Sequence, residues 1–135
     1  MNYWLLKSEP NVYSIDSLFA EGEGIWDGVR NYQARNNLKA MLPGDLALFY
    51  HSNIGMEVVG VVEISSTAFP DPTTDDDRWV AVGVRPVQRF EQPVSLKILK
   101  ADPFFEDLPL IRHSRLSVMP VTKAHFDAIL ALSKS

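Results

Sequence analysis

At 135 residues and 15.2 kDa, with 46% apolar residues, the chain fits a single domain, residues 1–135, that buries a core without covalent staples. The absence of cysteine excludes disulfides, zinc–cysteine sites, iron–sulfur clusters and thiol nucleophiles together. A formal net charge of −4 argues against a protein that tracks duplex nucleic acid through many phosphates, because that affinity needs a basic surface.

The first segment, residues 2–7, predicts a central strand. It has Trp4 and Leu6 on one face and Tyr3 and Leu5 on the other. It lacks a basic leader, and no apolar run is long enough to span a bilayer. A cytoplasmic protein, or a nuclear one in a eukaryote, is expected. Ser14 predicts the N-cap of a short helix carrying Ile15, Leu18 and Phe19, closed by Gly22. Residues 31–42 predict a second helix with Ala34, Leu38, Met41 and Leu42 on one face, stopped by Pro43-Gly44. Three β-rich runs follow: 46–51, 57–65 and 79–90. Gly55 marks a turn, and Pro86 demands an edge or a bulge. The loop 69–78, with Asp71, Asp75, Asp76 and Asp77, is expected to be exposed. Ser95 predicts a helix through Lys100, residues 103–114 read as irregular, and 116–121 read as a last strand. Thr122 then caps a C-terminal helix with Phe126, Ile129 and Leu130 on its face. Short strands with helices between them point to an α+β fold, a small mixed β-barrel flanked by helices.

Three clusters carry possible chemistry. Residues 26–36 place Trp26 and a glycine turn just before a helix start, where unpaired backbone N–H groups favour an acceptor. Trp26 lies outside any apolar run, so its replacement by alanine is expected to spare the fold. On the helical wheel Asn31 and Arg35 point with Leu38 toward the interior, where a guanidinium needs a partner, either a ligand or an internal carbonyl or carboxylate. Tyr50, His51, Ser52 and Asn53 end a hydrophobic strand, the kind of position from which ligand groups are offered. Lys7 and Glu9 leave the first strand on one face while Ser8 takes the other, so a Ser–Lys dyad is geometrically poor. His51, His113 and His125 show no metal-ligand spacing, and no phosphate loop or nucleophile elbow is present.

Several blocks in chain order resemble the signature of the EVE domain family of the PUA-like superfamily: residues 6–10, 13–16, 26–36, 43–45, 49–53, 70–72, 84–87 and 114–118. The resemblance covers nearly the whole chain. It implies a small barrel with a pocket for a modified base, akin to the YTH readers of methylated RNA. There a lysine–serine pair and a tryptophan lie at the pocket, and Ser8 and Trp26 occupy comparable positions here. A second aromatic from a later strand is not matched, because residues 80–84 offer none.

The resulting expectation is a non-catalytic, cofactor-free and metal-free monomer that binds a modified base in DNA or RNA, with low affinity for bulk nucleic acid. Trp26 stacks on the base, and Ser8 and Asn31 address its edge. Arg30 or Arg35 meets a phosphate or carbonyl, and Tyr50 and His51 line the mouth, with Lys7 and Ser52 beside them. The rival is a hydrolase acting on a modified nucleoside, built on Lys7, Glu9 and Asp27, of which two would have to converge beside Trp26. A plain protein-interaction domain would instead show a broad apolar patch.

Overall fold

A computed structural model describes residues 1–134. Its strands are Tyr3–Ser8 (β1), Gly24–Trp26 (β2), Leu46–His51 (β3), Glu57–Ile64 (β4), Phe69–Pro70 (β5), Val80–Ser95 (β6) and Val118–Val121 (β7). Its helices are Ile15–Glu21 (α1), Tyr32–Ala40 (α2), Leu96–Ala101 (α3), Pro109–Arg112 (α4) and Lys123–Leu132 (α5). One mixed sheet runs β2-β6-β4-β3-β1-β7, with β5 added to β6. β1 is parallel to β3 and every other pairing is antiparallel. The sheet curls into a half-barrel flanked by the helices, the expected α+β architecture.

β1 is central, as its two apolar faces demand, and Trp4, Leu5 and Leu6 are buried. Its parallel register sets Lys7 beside Tyr50 and Ser8 beside His51, so the polar ends of two strands emerge together. β4 and β6 pair with register shifts at Val58/Gly60 and at Val61/Val62, and the second shift adjoins Pro86. Proline has no N–H for the ladder, so a bulge here is its natural place. Gly60 answers to a close approach. A Cβ there would lie 2.3 Å from the Gln88 carbonyl oxygen and 2.3 Å from Ile15 Cδ1, where α1 packs on the sheet.

The caps read from the sequence are in place. Ser14, Ser95 and Thr122 accept from the N–H groups of Ser17, Ile98 and His125, and Gly22 closes α1 at φ 80°. Other boundaries differ. α2 begins after Asn31 and ends at Ala40, and Leu42, expected on the buried face, is 57% exposed. Pro43 disfavours a helical Leu42, and the chain has already turned extended at Met41, the C-cap. β6 runs on to Ser95, residues 24–26 form an unanticipated edge strand, and β7 starts at Val118. Residues 103–114 contain a 3₁₀ turn at Pro103–Phe105 and α4, both opened by prolines. The loop 69–78 is not wholly exposed either, since Asp71 is buried.

Candidate functional site

The ends of β1 and β2, with the residues that follow β2, enclose a cavity of about 590 Å³. Lys7 and Ser8 come from β1, Trp26 from β2, and Asp27, Gly28 and Arg30 from the turn before α2. Tyr13, Glu21 and Glu23 close the side nearest α1, and Ser117 closes the side nearest β7. That volume lies in the range of small-ligand sites, and polar groups outnumber apolar ones on its walls.

Trp26 has two roles. Its indole stands edge-to-face with Phe49 at 5.2 Å and with Tyr13 at 6.0 Å, and it is 5% exposed. Pairing of Trp26 with Val82 fixes its backbone. The ring is therefore part of the core as well as the cavity wall, and the expectation that its removal spares the fold is corrected.

The turn after Trp26 is held by a carboxylate that composition placed among solvated aspartates. Asp71 Oδ2 accepts from Gly28 N at 2.8 Å and from Arg30 Nη1 at 3.0 Å. Its Oδ1 accepts from Thr73 N at 2.7 Å and from Thr73 Oγ1 at 2.6 Å. Burial pushes the Asp71 carboxyl up. The hydrogen bonds from Thr73, Arg30 and Gly28 outweigh that and bring it down to about 2. Gly28, at φ 77°, supplies the left-handed turn that aims its N–H at this oxygen.

Around this anchor the ionisable groups are shifted. Burial lowers the Lys7 ammonium, which donates to the Ser114 carbonyl oxygen at 2.7 Å. Burial raises Asp27, and the negative charge of Asp71 raises it further. Tyr13 is raised by burial and then by Glu21 and Asp27. Its buried hydroxyl has no hydrogen-bond partner among the described residues. The ring reaches that position because residue 24 is glycine, where a Cβ would lie 2.2 Å from Tyr13 Oη. Ser8 Oγ makes only a long contact with the Glu9 carbonyl, at 3.4 Å, leaving it free for another acceptor.

Thus Lys7, Ser8, Trp26 and Arg30 meet at one cavity, and the other expected residues stand outside its walls. Asn31 caps α2 by accepting from Ala34 N at 2.9 Å. Arg35 does not point inward. Its guanidinium sits 5.0 Å over the Tyr32 ring and donates to Asn36 Oδ1 and the Arg78 carbonyl oxygen. Tyr50 is buried in the core, and burial raises its hydroxyl. His51 Nε2 accepts from Ile15 N at 3.2 Å, so it braces the start of α1 and does not line a mouth. Ser52 N donates to the Ser8 carbonyl oxygen at 2.9 Å, which steadies the end of β1 from behind. Glu9 is taken up by Asn53, whereas Lys7 and Asp27 do share the cavity.

Sequence reasoning missed Tyr13 and Asp71 and named Asp27 only for the rival hydrolase. The flanking prolines of Pro70-Asp71-Pro72 were the signal that separates Asp71 from its solvated neighbours. Among the described residues no group of three or more His, Asp or Glu is placed to hold a metal, and no helix is long and apolar enough to cross a membrane.

Comparison with known proteins bears on this geometry. The EVE domain family model matches residues 2–132. Mouse thymocyte nuclear protein 1 is 37% identical over 169 residues, spanning 99% of this chain and 74% of that protein. Protein Atu2648 of Agrobacterium tumefaciens superposes with a TM-score of 0.96 at 46% identity, over 98% of this chain and 93% of that one. Human THYN1 protein, crystallised with DNA containing 5-methylcytosine, superposes with a TM-score of 0.91 at 34% identity, over 100% and 99% of the two chains. A YTH domain from Zygosaccharomyces rouxii, in complex with N6-methyladenosine RNA, shares the fold at a TM-score of 0.63 and 21% identity, over 99% and 87%.

Proposed function

This chain belongs to the EVE domain family, and from that premise and the cavity beside Trp26 we propose that it is a non-catalytic module recognising a modified base, cytosine- or adenine-derived, in DNA or RNA. The observation that carries the reading is the combination, at one cavity with room for a nucleobase, of an indole wall with polar groups whose own bonds are weak or missing. Ser8 Oγ and Tyr13 Oη are the two such groups. A base lifted out of a strand needs a flat surface and a few fixed donors and acceptors for its edge. Trp26 supplies the surface, Ser8 and Asp27 address the edge, and Arg30, locked by Asp71, presents a cation on the cavity wall. The human relative's ligand makes 5-methylcytosine DNA the first probe.

Titration with matched oligonucleotides carrying cytosine, 5-methylcytosine, adenine or N6-methyladenine tests the reading. Tighter binding to one modified member supports it, and equal binding to all four refutes it.

One observation favours a second reading. Lys7 and Asp27, a lowered ammonium and a raised carboxyl, line the same cavity, which is what hydrolysis of a modified nucleoside would require. The Ser114 carbonyl already holds the ammonium, however, and among the described residues lining the cavity no nucleophile is hydrogen-bonded to a base. Mass spectrometry of modified nucleosides after long incubation separates the two. Turnover that Lys7→Ala removes while ligand binding persists establishes the hydrolase.

A further inference from the structure

Outside the cavity, on its Arg30 side, a row of aromatic rings and guanidinium groups remains unexplained by recognition of a single base. Arg30, a cavity wall residue with its side chain 41% exposed, holds its guanidinium 5.8 Å from the centre of the Trp79 ring. Trp79 in turn stacks on Tyr32 at 5.1 Å with the planes 29° apart. Arg35 lies over Tyr32 at 5.0 Å. Arg78 lies over Trp79 at 6.0 Å and donates to the Tyr32 hydroxyl at 3.0 Å. Trp79 is the buried foundation of the row, whereas Tyr32 is 51% exposed at its outer end.

Core packing does not account for an exposed tyrosine held by two guanidinium groups. The charges are also unequal in use. Arg30 is neutralised by Asp71, and Arg78 by Asp76 at 2.5 Å. Arg35 has no carboxylate partner among the described residues and makes its bonds only to neutral oxygens. The outer end of the row thus offers one uncompensated guanidinium plane backed by the half-exposed Tyr32 ring, and bases stack on such planes without their sequence being read.

We propose that Tyr32, Arg35 and Arg78 form a second subsite that receives the nucleotide flanking the base held in the cavity, stacking its base on the Tyr32–Arg35 end and pairing its phosphate with Arg35. The subsite rests on the modified-base reading above, since the cavity fixes where the flanking nucleotide starts. It adds a polymer requirement: a strand binds more tightly than the same modified nucleoside alone.

The test compares 5-methyl-2′-deoxycytidine with a single-stranded nine-nucleotide DNA bearing 5-methylcytosine at its centre, using wild type, Tyr32→Ala and Arg35→Gln, with a thermal melt of each. Tyr32→Ala is expected to weaken the oligonucleotide at least about fivefold and to leave the nucleoside unchanged. Arg35→Gln is expected to lower the slope of log K against log salt by about 0.7, the value for one phosphate on a single strand. If wild type prefers the modified strand but both variants bind it with unaltered affinity and slope, the subsite is refuted and the cavity reading stands. If wild type does not distinguish modified from unmodified strands, the cavity reading fails and the subsite falls with it.

Discussion

Replacing Asp71 tests whether one buried carboxylate builds the cavity wall. Its two oxygens accept from four donors, two on each oxygen: Thr73 N and Thr73 Oγ1 on Oδ1, Gly28 N and Arg30 Nη1 on Oδ2. Asparagine keeps the shape but turns one oxygen into an amide that faces two donors. Whichever way the amide lies, at least one backbone N–H loses its acceptor inside the protein. An unsatisfied buried donor costs about 1–3 kcal/mol, and the lost charge-assisted bond to Arg30 is discounted because that guanidinium is partly solvated. We expect Asp71→Asn to cost about 2 kcal/mol and Asp71→Ala about 3 kcal/mol in urea unfolding at pH 7.

The pH dependence supplies an independent check. A carboxyl at about 2 in the folded protein against 3.8 unfolded stabilises the fold fully above pH 3.8. That contribution, also about 2 kcal/mol, is lost as pH falls toward 2. The difference between wild type and Asp71→Asn should therefore shrink over that window and stay flat above it. Because Gly28 and Arg30 lose their anchor, affinity for the modified oligonucleotide should fall as well. A variant within 0.5 kcal/mol of wild type, as a typical surface change is, with an unchanged pH profile, would refute the whole account of this wall.

Two further expectations follow from the packing of the same region. Trp26→Ala should cost about 3–5 kcal/mol in denaturant unfolding and abolish binding, because the indole is packed edge-to-face with Phe49 and Tyr13. Trp26→Phe should recover most of the stability, and an alanine variant as stable as wild type would place the ring outside the core. His51 is lowered by burial, against the opposing pull of Asp16 and Glu57, so its unprotonated form is the one the fold prefers. The stability it confers is complete above pH 6.5 and declines as pH falls below that value toward its folded pKa. His51→Gln should flatten the slope between pH 7 and 5, and an unaltered slope would assign it to other groups.

The fold was legible where local signals are strong. Ser14, Ser95 and Thr122 cap helices because a short hydroxyl chain before an apolar period has one favourable local bond to make, and β1 shows its centrality in two apolar faces. β2 was not legible. Three residues carry no period, and their pairing with β6 depends on partners nearly 60 positions away in sequence. The same limit applied to the site. Lys7, Ser8, Trp26 and Arg30, which line the cavity, were legible as candidates because they flank visible strand and helix ends. Asp71 was hidden because the bonds that bury it come from Gly28 and Arg30, more than 40 residues earlier. Arg35 misled for a related reason. A helical wheel gives direction only, and Tyr32, one turn earlier, offered its guanidinium a surface resting place that needed no buried partner.

The acidic composition follows from the same logic as the cavity. Phosphate contacts strengthen binding to modified and unmodified strands alike, so they raise affinity without raising discrimination. A single buried methyl group contributes about 0.8 kcal/mol, or roughly fourfold in affinity, when hydrophobic transfer alone acts. On a strongly basic protein that margin is swamped by the excess of unmodified sites, because background binding is already tight. Here Asp71 and Asp76 neutralise Arg30 and Arg78, and Glu21, Glu23 and Asp27 stand around the cavity. Background attraction is therefore expected to be weak, a shallow salt dependence of binding being its measure. On the proposed reading, discrimination beyond the methyl's own contribution has to come from edge bonds that a displaced base fails to make, so Ser8, Tyr13 and Asp27 are the positions expected to set selectivity among modifications.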